Sequence, residues 1–279
     1  MAANLARAGL LDAVWNRGPA RSAAFSASHG TPVADSLADL AQRCDIVVLC
    51  VSADPDLLEC VDVLAAHGPA DALVLDCSTV DAATAREAAK RLSAHGKRFC
   101  DCPVSGGTEG ARTGSLSIMV GGSEEDFTHA RPVLDVLGAH VSHIGGVGSG
   151  QATKATNQIM VAGVNQAVSE AMAFARAEGL PLEKVAAALA HGAAASWFLE
   201  YRAPNMIRGD FPLGFKVALH EKDLRICQRM AAAHGAELPL VEMTLLHYSR
   251  LPEADREEQD ISSLFRVKDA MFASGDSGG

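Results

Sequence analysis

Two hydrophobic periods alternate through the first half of the chain. Short β-rich runs fall at 13–15, 46–51, 73–76, 97–100, 117–120 and 140–144. Between them lie stretches whose apolar positions recur at helical spacing, at 56–66, 82–94 and 124–137, and the chain opens in another at 1–8. Strands alternating with helices predict βαβ units around a mainly parallel sheet. The run Ile46-Val47-Val48-Leu49-Cys50-Val51 is apolar throughout, as a strand covered on both faces must be.

The pattern changes near Gly145. After Gly145-Gly146-Val147-Gly148-Ser149-Gly150 a long helical stretch runs to about residue 178 and is closed by Gly179. Pro181 opens another helix, which Gly192 ends, and further helices are expected at 216–233, 239–249 and 261–272. No strand run as clear as those of the first half follows. This predicts an α/β domain over 1–147 and an all-helical domain over 148–279, with a small polar tail at 274–279 expected to fray.

Composition narrows the classes. Apolar residues make up 48% of 279, enough for a sizeable core, and the net charge of −10 repels phosphate backbones, so no nucleic-acid partner is expected. No stretch approaches the ~20 apolar residues of a membrane span, and MAANLARAGL lacks the charged flank and long apolar core of a signal peptide. The seven cysteines form no C-x-x-C pair, and several lie in apolar runs. That usage predicts a reducing, cytoplasmic setting and no metal site.

A doubly wound α/β domain that holds a dinucleotide opens with a strand, a G-x-G-x-x-G loop and a helix. Here neither a first strand nor that loop precedes the run at 13–15. Losing about six ladder hydrogen bonds costs on the order of 6 kcal/mol, and losing several buried side chains at roughly 1.5–3 kcal/mol each costs as much again. An upstream in-frame start that supplies the strand and loop is therefore expected. The alternative is a genuine short form that holds cofactor poorly.

Four motifs could carry chemistry. Asn16-Arg17 closes the run at 13–15, where a carboxylate suits the ribose of NAD and an arginine the 2′-phosphate of NADP; taken alone, a solvated turn is the simpler account. In Asp101-Cys102-Pro103-Val104-Ser105-Gly106-Gly107 a strand enters a turn whose N–H groups suit a carboxylate, or a plain glycine turn. Lys154 and Asn157, three apart, share a helix face ahead of a largely apolar stretch. A desolvated lysine there suits acid–base work, although taken alone an exposed first-turn lysine is the simpler account. Glu221-Lys222-Asp223-Leu224 alone reads as a solvated helix face.

In their order and spacing these segments resemble the β-hydroxyacid dehydrogenase family, which includes 3-hydroxyisobutyrate dehydrogenases and 2-hydroxy-3-oxopropionate reductases. The resemblance runs from MAANLARAG to DISSLFR; DCPVSGGTEGARTGSLSIMVGG is similar to the family's substrate signature and GSGQATKATNQIM to its catalytic-lysine signature. In the family, MAANLARAG directly follows the glycine loop. The resemblance implies a Rossmann-type domain followed by an all-helical domain for substrate binding and dimerisation. It implies hydride transfer between NADP, or alternatively NAD, and a small β-hydroxy acid or its semialdehyde. Lys154 matches the catalytic lysine. Asn157 matches a substrate-orienting side chain, and Ser105, Gly106 and Gly107 the turn holding the substrate carboxylate. Val51, Ser52, Asp56 and Thr79 match cofactor contacts, and Asn16 and Arg17 the pair of NADP-preferring members, although Gly18 stands where a threonine often follows. Lys222 matches a lysine that serves both cofactor and substrate. Thr156 replaces the histidine of decarboxylating 6-phosphogluconate dehydrogenases, and Lys154 is usually replaced in imine reductases. A homodimer or homotetramer is implied as well. The missing loop leaves one competing expectation, a non-catalytic relative deficient in cofactor.

Overall fold

The computed structural model describes residues 1–273, and the tail expected to fray lies outside them. The chain forms two compact units, Met1–Lys154 and Ala155–Gly279.

The first unit contains helices α1 (Ala2–Arg7), α2 (Pro19–His29), α3 (Leu37–Arg43), α4 (Asp54–Ala66), α5 (Ala82–Ser93), α6 (Gly107–Thr113) and α7 (Glu124–Leu137). Its strands are β1 (Ile46–Leu49), β2 (Leu73–Asp76), β3 (Arg98–Asp101), β4 (Val104–Ser105), β5 (Leu116–Gly121) and β6 (Gly138–Gly145). The sheet order is β1-β2-β3-β5-β4, with β6 paired to β5. β1, β2 and β3 run parallel, as do β5 and β6, while β5 is antiparallel to both β3 and β4. The sheet is thus mixed.

Every residue of β2 is buried because the sheet is covered on both faces. Val74 joins the core formed with α3, α4 and α5, whereas Leu73 and Leu75 join the one formed with α7. In α5, Ala82, Ala85, Ala88 and Leu92 fall on one buried stripe, and the Asp81 carboxylate caps the helix by accepting the Ala83 N–H.

The run expected as a strand at 13–15 is reduced to an isolated parallel bridge, Val14 to Val33. Val14 exchanges hydrogen bonds with Pro32 and Ala34, a coil segment, and not with a sheet strand. A β-rich run makes a strand only where a ladder extends it. β4 went unpredicted because two residues carry no period.

The second unit is helical among the described residues. α8 (Ser149–Ala177) leads into α9 (Leu182–Leu189), α10 (Trp197–Arg208), α11 (Val217–Ala232), α12 (Pro239–Tyr248), α13 (Glu253–Glu258) and α14 (Leu264–Ala273), with a 3₁₀ turn at Ile261–Ser263. Its core gathers Met172, Phe198, Leu224, Tyr248 and Phe265. α10 occupies the stretch that follows the Gly192 alanine run. Its Phe198 is buried, while Trp197 and Tyr201 are exposed and stack at 4.9 Å. Among the described residues no helix is long and apolar enough to cross a membrane.

Candidate active site

Parallel strands deliver their carboxyl ends, and the loops after them, to one edge of a sheet, which is where ligands of open α/β sheets bind. Val51 and Ser52 follow β1, and Thr79 follows β2. The two loops are tied together: the Ser78 hydroxyl accepts the Val51 N–H at 2.8 Å. Asp54, at the start of α4, accepts the Asp81 N–H at 2.8 Å and the Thr84 hydroxyl at 2.7 Å. No side chain caps α4 at Ala53, so its leading N–H groups lie beside these loops without a side-chain acceptor at the cap.

Arg17 and Asp56 are brought together. The Arg17 guanidinium donates to Asp56 Oδ1 at 2.9 Å and to Glu59 Oε2 at 3.0 Å. The hydrogen bond to Asp56, with the charge of Glu59, raises the already high pKa of Arg17. Asn16 turns back on its own loop, with Nδ2 donating to the Gly18 carbonyl at 2.8 Å.

Ser105, Gly106 and Gly107 join β4 to α6. Ser105 pairs with Ser117 of β5, and the chain then turns through Gly106 at φ 129° and Gly107 at φ 62°. Both values favour glycine, because a Cβ is strained there. The two glycines are exposed, and Ser105 is half-buried.

The start of α8 is fixed by a carboxylate missed as a functional residue in the sequence. Asp101, the last residue of β3, is fully buried. Its Oδ1 accepts the Gly148 N–H at 2.7 Å, and its Oδ2 accepts the Gln151 N–H at 2.8 Å. A negative charge at a helix N-terminus satisfies donors that have no partner within the helix. Burial nevertheless holds the Asp101 carboxyl above its ordinary pKa, against the opposing pull of those N–H donors.

Gln151 fastens the same turn to the loop that carries Thr79. Its Nε2 donates to the Ser78 carbonyl at 2.8 Å, and its Oε1 accepts the Val80 N–H at 3.2 Å. Lys154, one helical step of three further on, is only 7% exposed. The simpler account of Lys154, a solvated first-turn lysine, therefore does not describe this residue.

Asn157 and Lys222 are linked within the helical unit. Asn157 Nδ2 donates to Gln158 Oε1 at 2.9 Å, and Gln158 Nε2 donates to Asp223 Oδ2 at 2.7 Å. The other carboxylate oxygen, Asp223 Oδ1, lies 3.1 Å from Lys222 Nζ. The segment 221–224 is not the solvated face that its charges suggest: Glu221 is 8%, Asp223 4% and Leu224 0% exposed. Among the described residues no group of three or more His, Cys, Asp and Glu side chains is placed to hold a metal ion.

Residues 1–145 match the family model described as the NAD binding domain of 6-phosphogluconate dehydrogenase. Residues 148–268 match the one described as NAD-binding of NADP-dependent 3-hydroxyisobutyrate dehydrogenase. The chain is 37% identical over 245 residues to 2-hydroxy-3-oxopropionate reductase of Escherichia coli, covering 86% of this chain and 82% of that one. An uncharacterised oxidoreductase of Shewanella frigidimarina is 36% identical over 269 residues, covering 95% and 92%. The Mycobacterium tuberculosis 3-hydroxyisobutyrate dehydrogenase solved with L-serine superposes with a TM-score of 0.88 at 30% identity, over 95% of this chain and 93% of that one.

The chain belongs to the β-hydroxyacid dehydrogenase family. It is accordingly an NAD(P)-dependent oxidoreductase of the hydroxyacid dehydrogenase type, with a Rossmann-like domain ahead of a helical one. The residues present fit such a dinucleotide. The loops at 50–53 and 77–81 are cross-tied at the carboxyl ends of adjacent parallel strands, and Arg17 meets Asp56 beside the start of α4.

Five side chains of the β-hydroxyacid dehydrogenase frame were not singled out by the sequence: Asp101, Ser78, Gln151, Gln158 and Asp223. Asp101, Gln151, Gln158 and Asp223 do lie inside the motif segments. The available signal for Asp101 was the glycine spacing around it, since a Cβ at Gly121 or Gly150 would collide with Asp101.

Proposed function

We propose that the protein interconverts a small β-hydroxy acid and its semialdehyde or keto form, with Lys154 as the general acid and base. The observation that carries this reading is the burial of Lys154 on a helix whose first turn is locked by Asp101 and Gln151. A buried amine on a rigid support is held where it can exchange a proton with a fixed oxygen. The nicotinamide supplies the hydride chemistry. In oxidation, neutral Lys154 accepts the hydroxyl proton; in reduction, the Lys154 ammonium donates to the developing alkoxide. Asn157 orients the reacting oxygen. The N–H groups of the Ser105–Gly106–Gly107 turn hold the substrate carboxylate, and Lys222 completes cofactor and substrate binding.

Val51, Ser52, Asp56 and Thr79 contact the cofactor, while Asn16 and Arg17 favour NADP. An arginine fork suits a phosphate monoester, and the NADP-dependent family description of the second half agrees with that preference. The test is turnover by the intact gene product with 2-hydroxy-3-oxopropionate, 3-hydroxyisobutyrate and L-serine, each with either cofactor. At least one should turn over, faster with the phosphorylated dinucleotide. Arg17→Ala should weaken NADPH binding roughly tenfold and leave NADH binding nearly unchanged. No turnover with any of the three substrates, despite bound dinucleotide, would favour the non-catalytic relative.

A cytoplasmic homodimer or homotetramer, assembled through the helical unit, completes the proposal. Met160 (66%), Phe174 (53%) and Leu246 (55%) are large apolar side chains exposed on that unit. Sedimentation of the gene product should give twice or four times the monomer mass; a monomer at every concentration would contradict the assembly.

A further inference from the structure

Asp223 is 4% and Gln158 2% exposed, so their hydrogen bonds are made to protein. A carboxylate only accepts. The group that Gln158 turns toward Asp223 Oδ2, at 2.7 Å, must therefore be its NH₂. That choice leaves Gln158 Oε1 facing Asn157, where it can only accept, so Asn157 presents Nδ2 to it at 2.9 Å. The Asn157 carbonyl oxygen is thereby turned away from Gln158. One buried negative charge, passed through one amide, fixes which end of the Asn157 amide is offered on the face it shares with Lys154. The other oxygen of the same carboxylate lies 3.1 Å from Lys222 Nζ, an ion-pair distance.

We propose that Gln158 is a positioning residue. With Asp223 it sets the polarity of the Asn157 amide and couples that amide to Lys222, so that the four side chains respond as one. This rests on the substrate-orienting role given to Asn157 above. Titratable groups beside the network include Lys154, His220, Glu221, Cys227, Tyr248 and Arg256. His220 Nε2 lies 3.4 Å from the Gln158 carbonyl, and His220 Nδ1 is 2.9 Å from the Tyr248 hydroxyl of α12. Glu221 faces Arg256 of α13 at 3.5 Å, and the Cys227 thiol donates to the Ala155 carbonyl at 3.5 Å. The network is thus bounded by groups that already have partners of their own.

The test is steady-state kinetics of Asn157→Ala, Gln158→Leu, the double variant and Gln158→Glu in the intact gene product, with NADPH and 2-hydroxy-3-oxopropionate, or with NADP⁺ and 3-hydroxyisobutyrate or L-serine, whichever of the three turns over best. Gln158→Leu should lower kcat/KM by roughly tenfold to a hundredfold, and the double variant should lose little more than Asn157→Ala alone. Gln158→Glu keeps the shape and places two carboxyls in contact that must share a proton. Its kcat/KM profile should gain an ionisation absent from the wild type, with activity falling as the shared proton is lost. This variant also carries the test if Gln158→Leu fails to fold. Wild-type kcat/KM in Gln158→Leu, fully multiplicative losses in the double variant, or an unaltered pH profile in Gln158→Glu would each overturn the proposal while leaving the role of Asn157 standing. Wild-type kcat/KM in Asn157→Ala would overturn both, and that single control identifies this case.

Discussion

Lys154→Ala should lower turnover roughly a thousandfold while leaving dinucleotide affinity within about twofold, since a positioned acid or base contributes on the order of 10²–10⁴ in rate. The cofactor contacts proposed for Asn16, Arg17, Val51, Ser52, Asp56, Thr79 and Lys222 do not include Lys154, so the loss belongs in kcat. Lys154→Arg should not restore activity in the oxidative direction, because guanidinium stays protonated and cannot accept the hydroxyl proton. The first turn of α8 keeps its anchors to Asp101 and Gln151 in this variant. Stopped-flow turnover and a fluorescence titration of NADPH measure the two halves of this expectation separately. Near wild-type turnover would remove Lys154 from the chemistry.

Gly150→Ala should have the largest effect on the scaffold. A Cβ at Gly150 would run into the Met119 carbonyl, would lie 2.7 Å from the Asp101 carbonyl oxygen and 2.8 Å from Asp101 Oδ2. These are backbone and buried carboxylate atoms with no room to yield. Overpacking of this kind costs about 3 kcal/mol, equivalent to a fall of roughly 6–12 °C in melting midpoint for a chain of this size. The clash lies four residues before Lys154, on the turn that aims it, so kcat should fall at least about a hundredfold in whatever protein remains folded. A variant that melts and turns over like the wild type would show that the Asp101 clamp does not govern the placement of α8.

These expectations show what the sequence could and could not convey. Strands β1, β2, β3, β5 and β6 were legible as short β-rich runs set between helical stretches, and α5, α7 and α8 because their buried positions keep helical spacing. α2 and α3 were missed: α2 buries only Ser22, and in α3 the stripe Leu37, Leu40 and Ala41 is little more than one turn long. The run at 13–15 had strand composition without a ladder to extend it. Of the proposed site, Lys154, Asn157, Lys222 and the Ser105–Gly107 turn could be named from the resemblance of their segments to a family. Their supports could not, because Asp101 reaches across 47 residues to Gly148 and Gln158 across 65 to Asp223. Nothing local in the sequence marks a carboxylate that is buried by distant chain. The acidic segment around Lys222 illustrates the same limit, since it reads as solvated until the helices packed on it are placed.

Isotope transfer tests lysine-assisted hydride transfer to a small semialdehyde. The intact gene product, supplied with NADPH carrying deuterium at both positions of nicotinamide C4 and with 2-hydroxy-3-oxopropionate, 2-methyl-3-oxopropionate or 2-amino-3-oxopropionate, should yield a hydroxy acid labelled at the carbinol carbon. Lys154→Ala should yield almost none in the same time. Unlabelled product, or equal label from the wild type and Lys154→Ala, would contradict it.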